Sequence, residues 1–119
     1  MNVRPFHLAL PTRDLEKTRQ FYCDVLGCET GRETQDWIDL NLFGHQLVFH
    51  VSGGEPLATT HNAVDAHSVP IPHFGVVLTP DEHRAFSQRI TGKVQMIIEP
   101  AVRFEGTTGE QRTLFFEDP

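Results

Sequence analysis

Cysteines, basic residues and long apolar runs are all scarce in this sequence. Only Cys23 and Cys28 occur among 119 residues, so we expect reduced thiols and neither a disulfide framework nor a cysteine-based zinc site. The 10 Lys and Arg residues are scattered through a chain of formal net charge −6, which argues against a nucleic-acid partner. No apolar stretch approaches membrane-spanning length, and the start shows no secretion signal. These absences predict a cytoplasmic protein with no membrane partner.

Several catalytic motifs are also missing. The chain has no Gly-rich phosphate loop, no Gly-x-Ser-x-Gly elbow and no His-Glu-x-x-His helix. The hydrophobic content of 39% is sufficient for a packed core. The length suits a single domain over residues 1–119.

The first half of the chain reads as a strand, a helix and further strands. Residues 6–10 are apolar and precede Pro11, which favours a strand. Thr12 or Asp14 can cap a helix whose apolar residues recur at helical spacing as far as Gly27. Residues 29–34 are a weaker strand candidate. Residues 37–43 and 45–51 alternate between apolar and polar, which predicts a hairpin with its tight turn at Gly44-His45.

The second half follows the same order after a polar segment. Residues 52–72 are rich in Gly, Pro and polar side chains and are predicted to be a long loop or linker. Residues 72–78 predict a strand, and a helix begins at Thr79 with Pro80 at its first position and Glu82 completing a capping box. Residues 94–99 and 112–117 predict two more strands. The sequence therefore indicates an α+β fold of two modules, at about 4–52 and 72–119, joined by a loop at 53–71.

Alternation along the strands predicts where three imidazoles lie. In the first strand His7 points away from the apolar set Phe6, Leu8 and Leu10. By the same rule Gln46 and His50 share the face of His7, and His73 has the matching position in the second module. Neutral imidazole is a good ligand for divalent iron, zinc, copper and nickel, so converging histidines predict a metal site.

Structural alternatives remain open for each histidine, because a histidine in a strand is more often hydrogen-bonded than metal-bound. For His50 the sequence leaves both a ligand role and an acid/base role open, and it disfavours Gln46 as a ligand. His45 is expected to be solvated at a turn, and His83 to lie on the solvated face of the second helix. His61 and His67 are expected at the surface.

Parts of the sequence resemble a known superfamily. The residues Phe6-His7-Leu8-Ala9-Leu10, then Asp14-Leu15-Glu16, then Phe21-Tyr22-Cys23-Asp24-Val25-Leu26-Gly27 are similar to the opening of the glyoxalase, bleomycin-resistance and extradiol-dioxygenase superfamily, also called vicinal oxygen chelate. More narrowly, a bacterial subgroup of predicted extradiol-type dioxygenases resembles the chain at Trp37-Ile38-Asp39, Phe43-Gly44-His45-Gln46, residues 69–76 and residues 100–104.

The resemblance implies paired βαβββ modules that form a curved mixed sheet around a cleft. It implies metal ligands at His7 and His73, and it places His50 or Gln46 on a strand where isomerase-type members have another ligand. The family's glutamate ligand has no counterpart, because Glu117 precedes Asp118-Pro119 and the strand that would carry that ligand comes later. The expectation is that the recorded chain ends before that last strand, since the loss of an inner strand would expose a sheet edge.

The implied function is that of a metal-dependent, extradiol-type dioxygenase acting on a catechol-like or other vicinal-oxygen compound. Fe(II) is the expected metal, with Mn, Zn or Ni as alternatives, and a homodimer is the expected assembly. His50 is the candidate acid/base residue, and the candidate substrate-binding residues are Trp37, Asn41, Gln46 and Arg103. The alternatives are a glyoxalase- or epimerase-type metal isomerase and a non-catalytic, drug-binding protein of the same fold.

Overall fold

A computed structural model of the chain describes residues 3–54, 58–64 and 67–119. The chain divides into two units: unit 1 is Met1–Pro56 with Asp118–Pro119, and unit 2 is Leu57–Glu117. Both units combine strands with a helical segment, so the predicted α+β class is confirmed. In the described parts of the chain, no helix is both long enough and apolar enough to cross a membrane.

Unit 1 is a four-stranded sheet with one helical segment. Its elements in chain order are β1 (His7–Thr12), α1 (Leu15–Arg19), a π-helix (Gln20–Val25), β2 (Glu29–Glu33), β3 (Trp37–Leu42) and β4 (His45–Val51). The strand order is β1-β4-β3-β2, in which β1 runs parallel to β4 and the other pairs are antiparallel. The predicted first strand, helix and hairpin are therefore confirmed.

The ends of the helical segment follow local chemistry. Of the two predicted caps, Asp14 is the one used, and its side chain accepts a hydrogen bond from the Lys17 N–H at 3.0 Å. This bond satisfies one of the N–H groups that a helix start leaves without a partner. After the π-helix, Gly27 takes a φ of 82°, a conformation that suits glycine at a helix end.

One face of the sheet forms the core of unit 1. Ile38, Leu40, Leu47 and Phe49 are each no more than 3% exposed on this face. Tyr22 packs on Phe49, with ring centroids 4.9 Å apart, and is itself 3% exposed. Its hydroxyl donates a hydrogen bond of 2.6 Å to the carboxylate of Asp118, near the end of the chain. The predicted apolar face is found at Leu8 and Leu10, which are more covered than His7 and Ala9, whereas Phe6, which was assigned to the same face, is 60% exposed.

The turn of the hairpin lies one residue earlier than predicted. Phe43 and Gly44 have φ values of 51° and 89°, and the Gly44 N–H donates to the side-chain oxygen of Asn41 at 2.7 Å. His45 is the first residue of β4, and its Nδ1 accepts a hydrogen bond from the Phe6 N–H at 2.9 Å. The predicted turn position is therefore wrong for His45, which is a half-buried strand residue whose ring accepts a main-chain hydrogen bond.

Unit 2 contains two separate two-stranded sheets and one helix. Its elements are β5 (Thr60–Val64), β6 (His67–Ile71), α2 (Pro80–Ile90), β7 (Gln95–Arg103) and β8 (Gln111–Glu117). β5 pairs with β6 and β7 with β8, each antiparallel. The segment predicted as a loop therefore contains a hairpin, in which β5 and β6 pair with each other. Pro56 and Asp65, which the loop prediction included, lie outside the described residues.

The strand predicted at residues 72–78 is not formed. Val76 and Leu78 are more covered than the fully exposed Val77, so the alternation is present, but the segment has no ladder partner among the described residues. Its counterpart in unit 1, β1, is a strand because it pairs with β4. Unit 2 has no equivalent of β4 among its described strands, and an unpaired extended segment is not a strand.

The helix of unit 2 begins as the sequence predicts. Thr79 and Glu82 form a reciprocal capping box, with Pro80 in the first turn. The hydrogen bond from the Thr79 N–H lowers the pKa of the Glu82 carboxyl, because it stabilises the charged form.

Candidate functional site

The sheet face of unit 1 that lies opposite the core carries most of the predicted site residues. The register places His7, Gln46 and Asn41 in one row across β1, β4 and β3. A second row contains Ala9, Val48 and Asp39, and a third contains Pro11, His50 and Trp37. We call this surface the His7 face. The predicted orientation of His7, Gln46 and His50 toward one side agrees with this register.

His7 and Gln46 are direct neighbours on this face. Their strands are paired at these two residues, and neighbouring strands lie about 4.8 Å apart. His7 is exposed, and its ring makes no hydrogen bond within the described part of the chain. Both ring nitrogens of His7 are therefore available to a ligand, with the Gln46 carboxamide beside them.

His50 lies in a different row from His7. It is four residues along β4 from Gln46, and four residues of a strand span about 13 Å. Its ring contacts the ring of Trp37, with centroids 6.5 Å apart. This spacing favours a role for His50 that is separate from direct coordination beside His7.

Arg32 and Asp39 also lie on the His7 face, and neither was predicted as a site residue. The Arg32 Nε donates to an Asp39 carboxylate oxygen at 2.9 Å, and the guanidinium carbon lies 5.6 Å from the centre of the Trp37 ring. Asp39 is 7% exposed, so its charge needs such a partner. Asp39 could have been predicted on this face, because residues 37, 39 and 41 of β3 alternate to the same side. No such alternation predicts the position of Arg32.

His73 belongs to unit 2, directly after β6. Its Nδ1 lies 2.6 Å from the carbonyl oxygen of Pro70, and its ring packs edge-on against Phe115 with centroids 5.0 Å apart. A carbonyl oxygen can only accept, so Nδ1 carries the proton and donates it. Metal-binding histidines commonly use one nitrogen in this way, which leaves the lone pair of the other for the metal.

Two other predicted substrate-binding residues have main-chain partners. Arg103, at the end of β7, is 3% exposed and donates from Nη2 to the Val64 carbonyl at 2.7 Å, which connects β7 to the end of β5. Asn41 bonds the turn residue Gly44, as described for the hairpin. In both residues, these polar atoms are engaged in holding the fold.

A separate cavity of about 440 Å³ lies in unit 2 between α2 and the β7–β8 pair. His83, Arg84, Ser87 and Arg112 contribute to its lining, and none of the predicted site residues does. The Nε2 of His83 is buried and has no hydrogen-bond partner within the described ranges, so the predicted solvated position is wrong for this atom. Its other ring nitrogen is 3.5 Å from the Ser87 hydroxyl oxygen.

Each unit, taken by itself, has an imidazole that suits a divalent metal. His7 presents a free imidazole beside an amide oxygen, and His73 presents an imidazole whose tautomer is set by Pro70. Imidazole and amide donors suit borderline and hard divalent ions. Over residues 3–54, 58–64 and 67–119, no three or more His, Cys, Asp or Glu side chains form a group that could hold a metal ion.

Comparison with known proteins gives the family. The chain matches the Glyoxalase/Bleomycin resistance protein/Dioxygenase superfamily over residues 4–119 and belongs to it. The resemblance found in the sequence is confirmed at this level, and the extradiol subgroup stays a prediction. No match was found among curated proteins.

Solved structures share the fold. A glyoxalase/bleomycin resistance protein/dioxygenase from Alicyclobacillus acidocaldarius is 31% identical, covers 98% of this chain and 83% of its own, and has a TM-score of 0.78. A mutant of the fosfomycin resistance protein FosX from Listeria monocytogenes, complexed with Mn(II) and 1S,2S-dihydroxypropylphosphonic acid, is 19% identical with a TM-score of 0.65, over 99% of this chain and 86% of that one. At that identity the likeness to FosX is one of fold alone.

Proposed function

We propose that this protein is a metal-dependent enzyme for a small molecule with two adjacent oxygens, and specifically an extradiol-type dioxygenase for a catechol-like compound. The observation that supports this most directly is the exposed His7 ring, which stands beside Gln46 and has no hydrogen-bond partner in the described residues. Membership of a superfamily that includes dioxygenases supports the class. In FosX, the same fold is complexed with Mn(II) and a dihydroxy compound.

In this proposal His7 and His73 are metal ligands, and Gln46, which pairs with His7 in the sheet, binds the substrate. The hydrogen bond from His73 Nδ1 to Pro70 supports this role, because it leaves Nε2 as the basic nitrogen. Fe(II) is the proposed metal, with Mn(II), Zn(II) or Ni(II) as alternatives. A divalent ion held there would supply a Lewis acid and a template for the two substrate oxygens.

His50 is proposed as the acid/base residue. Its row is about 13 Å from the row of His7, which is too far for a shared ion but within the reach of a ring-sized substrate. The contact with Trp37 positions the His50 ring over the same face. Replacing His50 by glutamine should therefore lower turnover and change the pH profile while metal content stays constant.

The metal part of the proposal can be tested by binding. We expect His7→Ala and His73→Ala each to weaken Fe(II) binding by at least about tenfold, measured by titration of protein purified without chelator. His61→Ala is the matched control, since His61 is exposed on β5 with no hydrogen bond in the described part of the chain. Stoichiometric metal that survives both ligand changes would contradict the assignment.

The reaction can be tested separately. The iron-loaded, anaerobically prepared protein is mixed with oxygen and a panel of catechols, and ring-opened products are followed by their colour. Turnover that depends on His7, His73 and His50 is the expected result. Metal binding together with a blank panel would reject the dioxygenase assignment and favour the isomerase or epimerase alternative.

A metal-free binding protein is the second candidate. The observation that favours it is the lack of a three-ligand group among the described residues. Under this alternative the purified protein would hold no stoichiometric metal, and an apolar compound would bind equally well to the parent chain, His7→Ala and His73→Ala.

A cytoplasmic homodimer completes the proposal. Neither Cys23 nor Cys28 forms a disulfide in the described part of the chain, which agrees with a reducing compartment. Sedimentation equilibrium would measure the assembly directly.

A further inference from the structure

A β-bulge in β2 decides where Arg32 points. Glu29 pairs with Asn41 and Thr30 with Leu40, but Glu33 then pairs with Ile38, one residue out of step. Without the shift, Arg32 would pair with Ile38 and face the core. Because the bulge inserts one residue, Glu33 takes that place and forms an ion pair with Arg19 of α1, on the helix side. Arg32 is thereby directed to the His7 face.

Gly31 lies in this bulge, where β2 passes close to Asp39. A Cβ atom at this position would lie 3.2 Å from the Cβ of Asp39, tighter than ordinary van der Waals contact. The close approach of β2 to Asp39 brings the Arg32 Nε to the carboxylate and the guanidinium carbon to 5.6 Å from the centre of the Trp37 ring.

The contacts of Arg32 leave most of its donors unused. Asp39 accepts from Nε, while neither Nη1 nor Nη2 has a hydrogen-bond partner in the described ranges. The Arg32 side chain is 76% exposed, whereas that of Asp39 is 10% exposed. A guanidinium held at Nε and over an aromatic ring is preorganised, and its two terminal nitrogens form the fork that matches a carboxylate.

We propose that Arg32 is a specificity residue that binds the carboxylate of an acidic aromatic substrate. This inference rests on the proposed function and narrows its substrate class to carboxylated, catechol-like compounds. The Arg32 terminal nitrogens hold the carboxylate, and the Trp37 ring provides an aromatic surface beside them, with the His50 ring next to it.

The test measures ligand binding by the fluorescence of Trp37. Trp37 is the only tryptophan, so the signal comes from the His7 face. The probes are two matched pairs: benzoate with benzyl alcohol, and 3,4-dihydroxybenzoate with catechol. We expect each carboxylate to bind about tenfold more tightly than its neutral partner. Arg32→Gln should remove that preference, and Arg32→Lys should retain only part of it, because lysine keeps the charge and loses the fork.

Arg19→Gln is the matched control, since it removes an arginine that pairs with a glutamate on the opposite side of the same bulge. It should leave the preference for carboxylates unchanged. Circular dichroism of every variant should match that of the parent chain, which checks that the variants fold.

The outcomes distinguish failure of the proposed reaction from failure of the proposed role of Arg32. If benzoate binds through Arg32 and neither dihydroxy compound reacts, the anion site stands and the proposed reaction fails. Equal affinity for the members of each pair, or a loss in Arg32→Gln shared equally by charged and neutral probes, would overturn the role of Arg32.

Discussion

Replacing Tyr22 by phenylalanine removes one hydroxyl from the core of unit 1 and leaves its ring in place. That hydroxyl donates to the Asp118 carboxylate at 2.6 Å, while the ring remains packed on Phe49. A hydrogen bond to a charged group contributes about 1.5–3 kcal/mol. Because Asp118 is exposed and water can solvate its freed oxygen, we expect the free energy of unfolding to fall by about 1.5 kcal/mol. For a chain of this size the midpoint of thermal unfolding should fall by about 5 °C.

The same bond predicts an unusual alkaline titration. Burial, followed by the negative charge of Asp118 and the hydrogen bond to it, raises the pKa of Tyr22 well above its usual range. A phenol whose pKa is raised on folding adds stability below its ordinary pKa of about 10, and that stability is lost as the pH rises above this value. Tyr22 is the only tyrosine, so the ultraviolet absorbance of tyrosinate reports this group alone.

We therefore expect tyrosinate to appear only as the protein unfolds in alkali. The Tyr22→Phe variant should lose less stability than the parent chain above pH ~10. Asp118→Asn is the matched change on the other partner, and the two substitutions should be non-additive in a double-mutant cycle. Tyrosinate formation at about pH 10 with the native circular dichroism spectrum intact would refute the buried, hydrogen-bonded assignment.

Three further substitutions test local features by thermal or denaturant unfolding. Gly31→Ala should destabilise unit 1 and displace Arg32 from Trp37, because the alanine Cβ would lie 3.2 Å from the Cβ of Asp39. The displacement should change the tryptophan fluorescence, and an unchanged spectrum would contradict this prediction. Thr79→Ala should cost about 1 kcal/mol through loss of the α2 cap, with Thr79→Ser close to neutral as control. Gly44→Ala should destabilise the hairpin more than Gly44→Asn, because Asn tolerates the φ of 89° better.

Features set by neighbours in sequence could be predicted for this chain. The cap at Asp14, the capping box at Thr79 and the stop at Gly27 depend on hydrogen bonds or φ values within a few residues. The two-residue period of β1 also placed His7 and its apolar neighbours on opposite faces. These features could be inferred because the interactions that cause them are local.

Features set by distant partners could not be predicted. The bulge that turns Arg32 toward Asp39 depends on how β2 pairs with β3, and a glycine at residue 31 does not by itself specify that register. The hydrogen bond from the Phe6 N–H to the His45 ring is another example, because it forms only once β1 has paired with β4. For His50, the role depends on its row in the sheet, which only the β1–β4 register supplies.

The sequence by itself determined the family, the α+β class and the alternating faces of the first strand and hairpin, since these follow from motif and periodicity. Tertiary structure alone decided that residues 60–64 and 67–71 form a hairpin and that residues 72–78 do not form a strand. The physical reason is that a strand exists only through hydrogen bonds to a partner, and neither composition nor alternation states which partner is within reach.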